Sequence, residues 1–363
     1  MLKKNIYILL IIISTQLFSF LPILEITNIK NCIAPKAVEI SPDGKTAVIV
    51  NLEGMDFWLA NASNGQIIEK IKFFPTPATG WNYTTKKPIK SFAQKPVECA
   101  FSPDSRYLWI SLHNAAAVVV YDTKKEFIFK TVLSEKISIF NLTANNKKIM
   151  EIPKISVGNT PKVIKITPDG RLALVANWHS SSVSVINTAD GKVLKNIKLG
   201  GKNWYIPRGI CISSDSKTAY IANMGGGNIS VINLASLEIL PEIKASSNPR
   251  HILLSKNDQF LYISDNISGK ILKIDITNGQ KIFEASAGKM ARTITMTSDE
   301  KILFAVSYEE SSCTVFNMEN FEILQKIKIY APMGLAITPD NTRLWISSYK
   351  GGFVKIYGIS TEK

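Results

Sequence analysis

Residues 161–199 read PKVIKITPDGRLALVANWHSSSVSVINTADGKVLKNIKL, and this stretch decides the fold. Its apolar runs predict four strands, at residues 161–167, 172–177, 182–187 and 192–199. The intervening turns contain Pro168-Asp169-Gly170 and Ala189-Asp190-Gly191, which are residue types that favour tight turns. The stretch therefore predicts one four-stranded antiparallel unit.

The same unit recurs along the chain. The third residue of its Ser/Thr-Pro-Asp-Gly turn, or of a decayed version, falls at Asp43, Asp104, Asp169, Asp215, Asn257, Asp299 and Asp340. Most spacings are close to the period of about 40–45 residues that a four-stranded β-propeller blade requires. We therefore predict an all-β, seven-bladed β-propeller of four-stranded antiparallel blades, forming a single domain over residues 21–363.

The two ends of the chain are predicted to close this ring. The last unit lacks a fourth strand, whereas residues 23–30, before the first unit, have the pattern of an unpaired strand. An N-terminal strand that completes the C-terminal blade would remove the free edges that promote aggregation.

Two spacings are longer than the period, which indicates insertions at about 75–95 and 124–146. The first falls between blades one and two, on the face that carries the inter-blade loops. The second is apolar, and its large side chains are Phe127, Phe129, Val132, Ile137 and Ile139. We expect it to form an extra hairpin that caps the opposite face of the ring, or alternatively a contact surface for a partner.

Residues 1–20 are typical of an export signal, because Lys3 and Lys4 precede an apolar run over residues 6–13. The alternative is an uncleaved membrane anchor, since the apolar stretch approaches the roughly 20 residues that a span needs. Both interpretations predict an exported protein in the periplasm or at the cell surface. The four cysteines fall at positions too far apart for disulfide geometry, so we predict buried free thiols. No Cys-x-x-Cys pair occurs, and we predict no metal and no cofactor.

The charge balance favours anionic partners. Lys and Arg number 43 against 29 Asp and Glu, a formal net charge of +14. Such a surface attracts acidic molecules and can make peripheral contact with acidic surfaces. Scattered lysines also serve solubility alone, and this explanation stays open for most of the charge. We expect a monomer.

Arginine is sparse, and all six residues occupy repeat-defined positions. The position after the proline that opens each inner strand, or after its equivalent, is here named the slot. In blade order the slot residues are Lys36, Val97, Lys162, Arg208, Arg250, Arg292 and Met333. Inner strands border the channel of a propeller, so the five cations are predicted to ring its mouth and attract an anion. Alternatively, the arginines brace neighbouring blades by hydrogen bonds to strand carbonyls.

Histidines and aromatic residues are predicted on the same face, interleaved with the cations. They are His113, His179 and His251, with Trp81, Tyr83, Trp178, Trp204 and Tyr205. Together with the slot cations they predict a site for an anionic or aromatic ligand, namely a glycan, a nucleotide or nucleic acid, or for a protein partner. The alternative is that these aromatic residues only pack the loops against the ring.

Two segments carry a family resemblance. Residues 174–177, Leu-Val-Ala-Asn, followed by Ser-Val-Ser-Val-Ile-Asn-Thr at 182–188, resemble the YVTN-type β-propeller repeat, as does Tyr-Ile-Ala-Asn at 220–223. The resemblance implies an exported or surface propeller that acts as a binding scaffold or surface antigen.

We therefore predict a non-catalytic binding protein of the cell envelope, with no catalytic residues. The alternative function is a propeller enzyme, either a lactonase-like hydrolase or an oxidoreductase subunit that bears a metal or cofactor. A hydrolase could use Glu98, Arg208, Arg250 and His251, and a metal site could use the three histidines.

Overall fold

The computed structural model describes residues 22–82, 85, 87–126, 135–143, 149–201 and 204–359. The predicted export signal lies outside the described residues, as do Tyr83, Phe127, Phe129 and Val132. The part of the chain that is described contains no helix long and apolar enough to cross a membrane.

The described residues form 31 strands, which build the predicted seven-bladed all-β propeller. In chain order they are β1 (Leu24–Ile29); blade one, β2 (Pro35–Ile40), β3 (Thr46–Asn51), β4 (Asp56–Asn61) and β5 (Ile67–Phe73); a hairpin, β6 (Pro77–Asn82) and β7 (Lys87–Phe92); and blade two, β8 (Pro96–Phe101), β9 (Tyr107–Leu112) and β10 (Ala117–Asp122), then β11 (Lys136–Asn141) and β12 (Ile149–Ser156). Blade three is β13 (Pro161–Ile166), β14 (Leu172–Asn177), β15 (Ser182–Asn187) and β16 (Val193–Lys198); blade four is β17 (Pro207–Ile212), β18 (Thr218–Asn223), β19 (Asn228–Asn233) and β20 (Glu238–Lys244). Blade five is β21 (Pro249–Leu254), β22 (Phe260–Asp265), β23 (Lys270–Asp275) and β24 (Lys281–Ser286); blade six is β25 (Ala291–Met296), β26 (Ile302–Ser307), β27 (Ser312–Asn317) and β28 (Ile323–Lys328); blade seven is β29 (Pro332–Ile337), β30 (Arg343–Ser348) and β31 (Phe353–Gly358).

The ring closes as predicted. Strand β1 pairs antiparallel with β31 and completes a four-stranded sheet in the order β1-β31-β30-β29. The fully buried Trp345 of blade seven donates its indole N–H to the carbonyl of Ala62 in blade one at 3.0 Å. Blade seven is therefore joined to the N-terminal strand within its sheet and to blade one across their interface.

The core lies between the blades. Apolar side chains of adjacent blades meet in seven buried clusters, one at each interface around the ring. The inner strands β2, β8, β13, β17, β21, β25 and β29 contact their neighbours and enclose the channel. The four cysteines are buried and free, as predicted.

The repeated turn is held by its own side chains. Thr167 Oγ1 donates to Asp169 Oδ1 at 2.6 Å, and the same carboxylate oxygen accepts the Arg171 amide at 3.0 Å. Gly170 follows at a φ of +75°, a conformation that glycine adopts without steric cost. The Ser/Thr, Asp and Gly residues of the Ser/Thr-Pro-Asp-Gly phrase therefore each contribute to closing this turn.

For the described residues 135–143 of the second insertion, the predicted placement was wrong. Strand β11 pairs with β12 and also with β5, so it joins the outer edges of blades one and two into one nine-stranded sheet. Ile139 is fully buried in the core between these blades, and Ile137 packs against that core. The outermost strand of a blade leaves backbone N–H and C=O groups unpaired at its edge. Strand β11 pairs with these groups at the circumference of the ring, and it does not cap a face of the ring.

Candidate functional site

Each slot residue lies at an irregularity in its inner strand. In all seven blades the antiparallel register shifts just after the first residue of that strand; in blade five, for example, Pro249 pairs with Asp265 and His251 pairs with Ser264. Arg250 is thus the extra residue between two paired ones. Such a bulge redirects a side chain, and here it brings the slot residues to one end of the channel.

The five slot cations line a single cavity of about 330 Å³, which we call the cation cavity. Its lining is Lys36, Lys162, Arg208, Arg250 and Arg292, together with Trp178, Met224 and Asn266. Lys162, Arg208 and Arg250 are buried. These cations, which belong to five different blades, therefore converge in the structure as predicted.

One carboxylate forms an ion pair with these cations among the described residues. Arg208 donates from Nη2 to Oε1 of Glu98, across the channel from blade four to blade two, at 2.6 Å. Arg208 Nη1 and Arg292 Nε are buried without a hydrogen-bond partner, and Arg250 Nη1 approaches Met224 Sδ at 3.8 Å. The cavity therefore presents donors that the described protein groups do not satisfy.

This crowding acts on the ionisation of the cations. Burial, and then the neighbouring arginines, hold the pKa of Lys36 and the pKa of Lys162 well below the usual lysine value. Burial and the charges of Arg292 and Arg208 likewise lower the pKa of Arg250, and the pKa of Arg292 falls to about 10. An anion in the cavity would relieve this repulsion.

The described contacts of the slot arginines do not support the bracing alternative. Arg208 contacts Glu98, Arg250 contacts Met224, and the guanidinium of Arg292 lies 4.6 Å from the ring centre of Tyr308. These contacts are made with side chains at the channel and not with strand carbonyls.

A second position in the repeat also faces this end of the channel, and sequence reasoning missed most of it. It is the residue directly after the second strand of each blade, namely Leu52, His113, Trp178, Met224, Asn266, Tyr308 and Tyr349. In every blade its amide donates to the carbonyl of the residue two before the slot, at 2.8–3.2 Å. This bond fixes the two positions side by side, so the repeat alignment could have identified both.

An adjoining cavity of about 320 Å³ shares Lys36, Lys162 and Arg292 with the cation cavity, and we call it the aromatic cavity. Its other lining residues are Leu52, Glu53, Gly80, Trp81, Ile89, Ser91, Lys95, Val97, His113, Asn114, Tyr308, Met333 and Tyr349. Gly80, Trp81, Ile89 and Ser91 belong to the β6–β7 hairpin. The first insertion therefore lies at the mouth, on the predicted face.

His113 and His179 lie at this mouth. His113 Nδ1 is 2.9 Å from Lys162 Nζ, and burial together with that lysine lowers the pKa of His113. His179 stacks on Trp178 with ring centres 5.4 Å apart and also contacts Trp204 at 5.9 Å. Trp204 is exposed at the rim and lines neither cavity.

Two other predicted positions turned out differently. Tyr205 donates its hydroxyl to Glu242 at 3.0 Å and packs against Gly200 and Gly226, so it holds its loop against blade four rather than facing the mouth. His251 lies deeper, in a separate channel cavity of about 160 Å³ that is also lined by Glu39, Glu98 and Lys165. The prediction that all three histidines share the mouth was wrong. The register shift places the Arg250 side chain at the mouth and turns the side chain of the following residue, His251, into the channel.

The deeper cavity contains two of the four residues of the hydrolase alternative, Glu98 and His251, whereas Arg208 and Arg250 line the cation cavity. Burial raises the pKa of Glu39, and burial together with Lys165 and the arginines lowers the pKa of His251 to about 3. Within the described residues, no three His, Cys, Asp or Glu side chains are grouped closely enough to hold a metal ion.

Comparisons with known proteins agree with this architecture. Residues 55–198 match the family model described as lactonase, 7-bladed beta-propeller. A curated relative, hydrazine synthase subunit beta of Kuenenia stuttgartiensis, is 28% identical over 159 residues, which are 42% of this chain and 40% of that protein. The match thus spans well under half of the relative's length.

A solved structure of Kuenenia stuttgartiensis hydrazine synthase is similar over nearly the whole chain. The TM-score is 0.71 at 18% identity, covering 92% of this chain and 98% of the other. At that identity the likeness concerns the fold. Together these findings support a seven-bladed propeller protein.

Proposed function

We propose that this protein is an exported, non-catalytic binding propeller of the cell envelope, which holds a small polyanion in its cation cavity. One observation carries the proposal: five cationic side chains from five blades converge on about 330 Å³ of space. A protein that needed these residues only for stability would do better with apolar ones, since replacing buried ions by apolar groups is often neutral or stabilising.

The unsatisfied donors support the same conclusion. Buried guanidinium nitrogens without partners cost free energy, and they are expected where a ligand supplies the acceptor. Arg208 Nη1 and Arg292 Nε are such atoms. Carboxylate and phosphate oxygens match guanidinium geometry, so the ligand carries one of these groups.

Export and the YVTN-type repeat are parts of this proposal. They rest on the apolar segment after Lys3 and Lys4 and on the repeat residues 174–177 and 220–223. Cell fractionation shows in which compartment the protein is found, and mass spectrometry of the purified protein shows whether the N-terminal segment has been removed. Together the two measurements test export. A full-length protein in the cytoplasm would refute it.

The binding test is calorimetry with inorganic pyrophosphate at several salt concentrations. Affinity is expected to fall with salt, and Arg250→Met is expected to weaken binding at least tenfold, because hydrogen bonds to charged groups contribute about 1.5–3 kcal/mol. Arg171→Met is the matched control, since Arg171 is an exposed arginine of the same repeat on another part of the blade.

Loss of folding can be separated from loss of binding. Arg250→Met removes a buried cation among cations, so its melting temperature should equal or exceed that of the parent protein. If no carboxylate or phosphate anion binds the parent protein at low salt, the proposed function is wrong.

A second function has specific support. The deeper cavity combines Glu39, Glu98, Lys165 and His251, and part of the chain matches a lactonase model. A screen of the purified protein for lactone hydrolysis tests this function. Activity that disappears in both Glu39→Gln and His251→Gln would favour the enzyme, and a screen without any hydrolysis would rule out this second function.

A further inference from the structure

The mouth has two chemically different halves. The charged slot residues of blades three to five line the cation cavity, whereas the uncharged slot residues Val97 and Met333, of blades two and seven, line the aromatic cavity. Lys36, Lys162 and Arg292 line both cavities. A ligand that fills the mouth would therefore have a charged end and a less polar end, joined where these three cations stand.

The shared cations also lie against aromatic rings. Arg292 lies 4.6 Å from the ring centre of Tyr308, and Lys36 lies 5.6 Å from that of Tyr349. Both tyrosines line the aromatic cavity. Aromatic side chains with cations at one edge suit a planar ring that carries its negative charge at one end.

The outer wall of the aromatic cavity is positioned before any ligand enters. Asn114 donates from Nδ2 to Ser91 Oγ at 3.0 Å and to the carbonyl of Phe92 at 2.9 Å, which fixes the hairpin to blade two. A Cβ on Gly80 would come within 2.7 Å of Ser91 Cβ, so only glycine allows this approach of β6 to β7. Trp81, in the next position of β6, is 43% exposed and lines the cavity.

Hydrogen-bonding groups accompany this apolar lining. Glu53 and Lys95 form an ion pair at 2.6 Å in the wall of the aromatic cavity. A carboxylate and an ammonium at this position can accept from and donate to the edge of a heterocyclic base or to sugar hydroxyls. The cavity therefore suits a polar ring better than a purely hydrocarbon one.

We propose that the ligand is a phosphorylated nucleoside, with its phosphates in the cation cavity and its base in the aromatic cavity. This inference rests on the proposed function, because it takes the cation cavity as the anion site. Two or three negative charges on adjacent phosphates match five cations opposed by Glu98 better than a single carboxylate does. The junction cations then contact the part of the phosphate chain nearest to the sugar.

The test compares inorganic pyrophosphate, adenosine diphosphate and adenosine by calorimetry with the full chain. Adenosine diphosphate is expected to bind at least tenfold more tightly than pyrophosphate, because its base adds contacts in the aromatic cavity. Adenosine alone is expected to bind at least a hundredfold more weakly than adenosine diphosphate, since it lacks the charged end.

Substitution of Trp81 separates the two halves. Trp81→Ala is expected to remove the advantage of adenosine diphosphate and to leave pyrophosphate affinity unchanged, and Trp81→Phe should retain part of that advantage. Trp204→Ala is the matched control, because Trp204 is an exposed tryptophan at the rim that lines neither cavity. It should change neither affinity.

The outcomes distinguish the two proposals. If pyrophosphate binds but adenosine diphosphate binds no more tightly, or if Trp81→Ala weakens both equally, the nucleoside proposal is wrong and the anion site remains. If neither pyrophosphate nor adenosine diphosphate binds at low salt, the nucleoside proposal is wrong, and the anion site fails with it if no carboxylate anion binds either.

Discussion

Glu98→Gln is the most informative single substitution, because it is expected to change stability and anion affinity in opposite directions. Glu98 forms the ion pair with Arg208 at 2.6 Å, and the Arg208 side chain is only 8% exposed. Removing one partner of a buried pair typically costs 3–5 kcal/mol. Since the Glu98 side chain is 21% exposed, we expect a loss near the lower end, about 3 kcal/mol.

Anion affinity should rise in the same variant. The Glu98 carboxylate repels an anion that enters the cation cavity. It also accepts a hydrogen bond from Arg208 that such an anion would otherwise accept. At an effective dielectric constant of about 20 and a separation of about 8 Å, one unit charge contributes roughly 2 kcal/mol. Pyrophosphate should therefore bind about thirtyfold more tightly, by the usual conversion of free energy to affinity.

Urea denaturation with and without pyrophosphate, together with calorimetry, measures both effects. The control is Glu135→Gln, which removes the carboxylate of an exposed pair with Lys154 at the outer edge of blade two, where ion pairs contribute little. Unchanged stability in Glu98→Gln, or weaker pyrophosphate binding, would refute the reasoning. Weaker binding would mean that Glu98 chiefly orients Arg208 toward the ligand.

Three further predictions concern other parts of the molecule. Because burial and neighbouring cations lower the pKa of Lys36 and of Lys162, an anion should raise both pKa values, and calorimetry in buffers of different ionisation enthalpy, over a series of pH values below the ordinary lysine pKa, should show proton uptake. Uptake that persists in the Lys36→Met, Lys162→Met double variant would contradict this. The folded-state pKa of His251 is about 3, below its unfolded value of about 6.5. Between these pH values the unfolded state binds one more proton than the folded state, so His251 should lower the free energy of unfolding as pH falls from about 6.5 to about 3. His251→Gln should flatten that decline in urea titrations, and an identical slope would be evidence against it. Ile139→Ala should lower the free energy of unfolding by about 2–5 kcal/mol, because the side chain is fully buried between blades one and two. A loss below about 1 kcal/mol in chemical denaturation would show that β11 is dispensable for that interface.

Much of the fold could be read from the chain. Strand β14 begins and ends where the pattern of residues 172–177 places it, and β1 pairs with β31 as the missing fourth strand requires. These predictions succeed because alternation, turn residues and repeat period are local properties. Strand β11 could not be placed in this way, since its pairing with β5 depends on a partner about 70 residues earlier.

The candidate site was only partly predictable. The slot residues could be found because each follows the opening of an inner strand, and the repeat makes that position comparable between blades. His251 was misplaced because it was assigned to the mouth from its position beside Arg250, whereas the two side chains line different cavities of the channel on either side of the register shift. Tyr308 and Tyr349 were missed, although both directly follow a second strand.

The sequence by itself determined the number of blades, the closing strand and the five cationic slot positions, because a repeat specifies each blade by the same local turn and strand chemistry. Only the tertiary structure decided that those cations line one cavity, that Glu98 is paired with Arg208, and that Trp81 lines a second cavity that shares three of the cations. The physical reason is that burial, charge crowding and cavity shape arise between blades, from residues far apart in the chain.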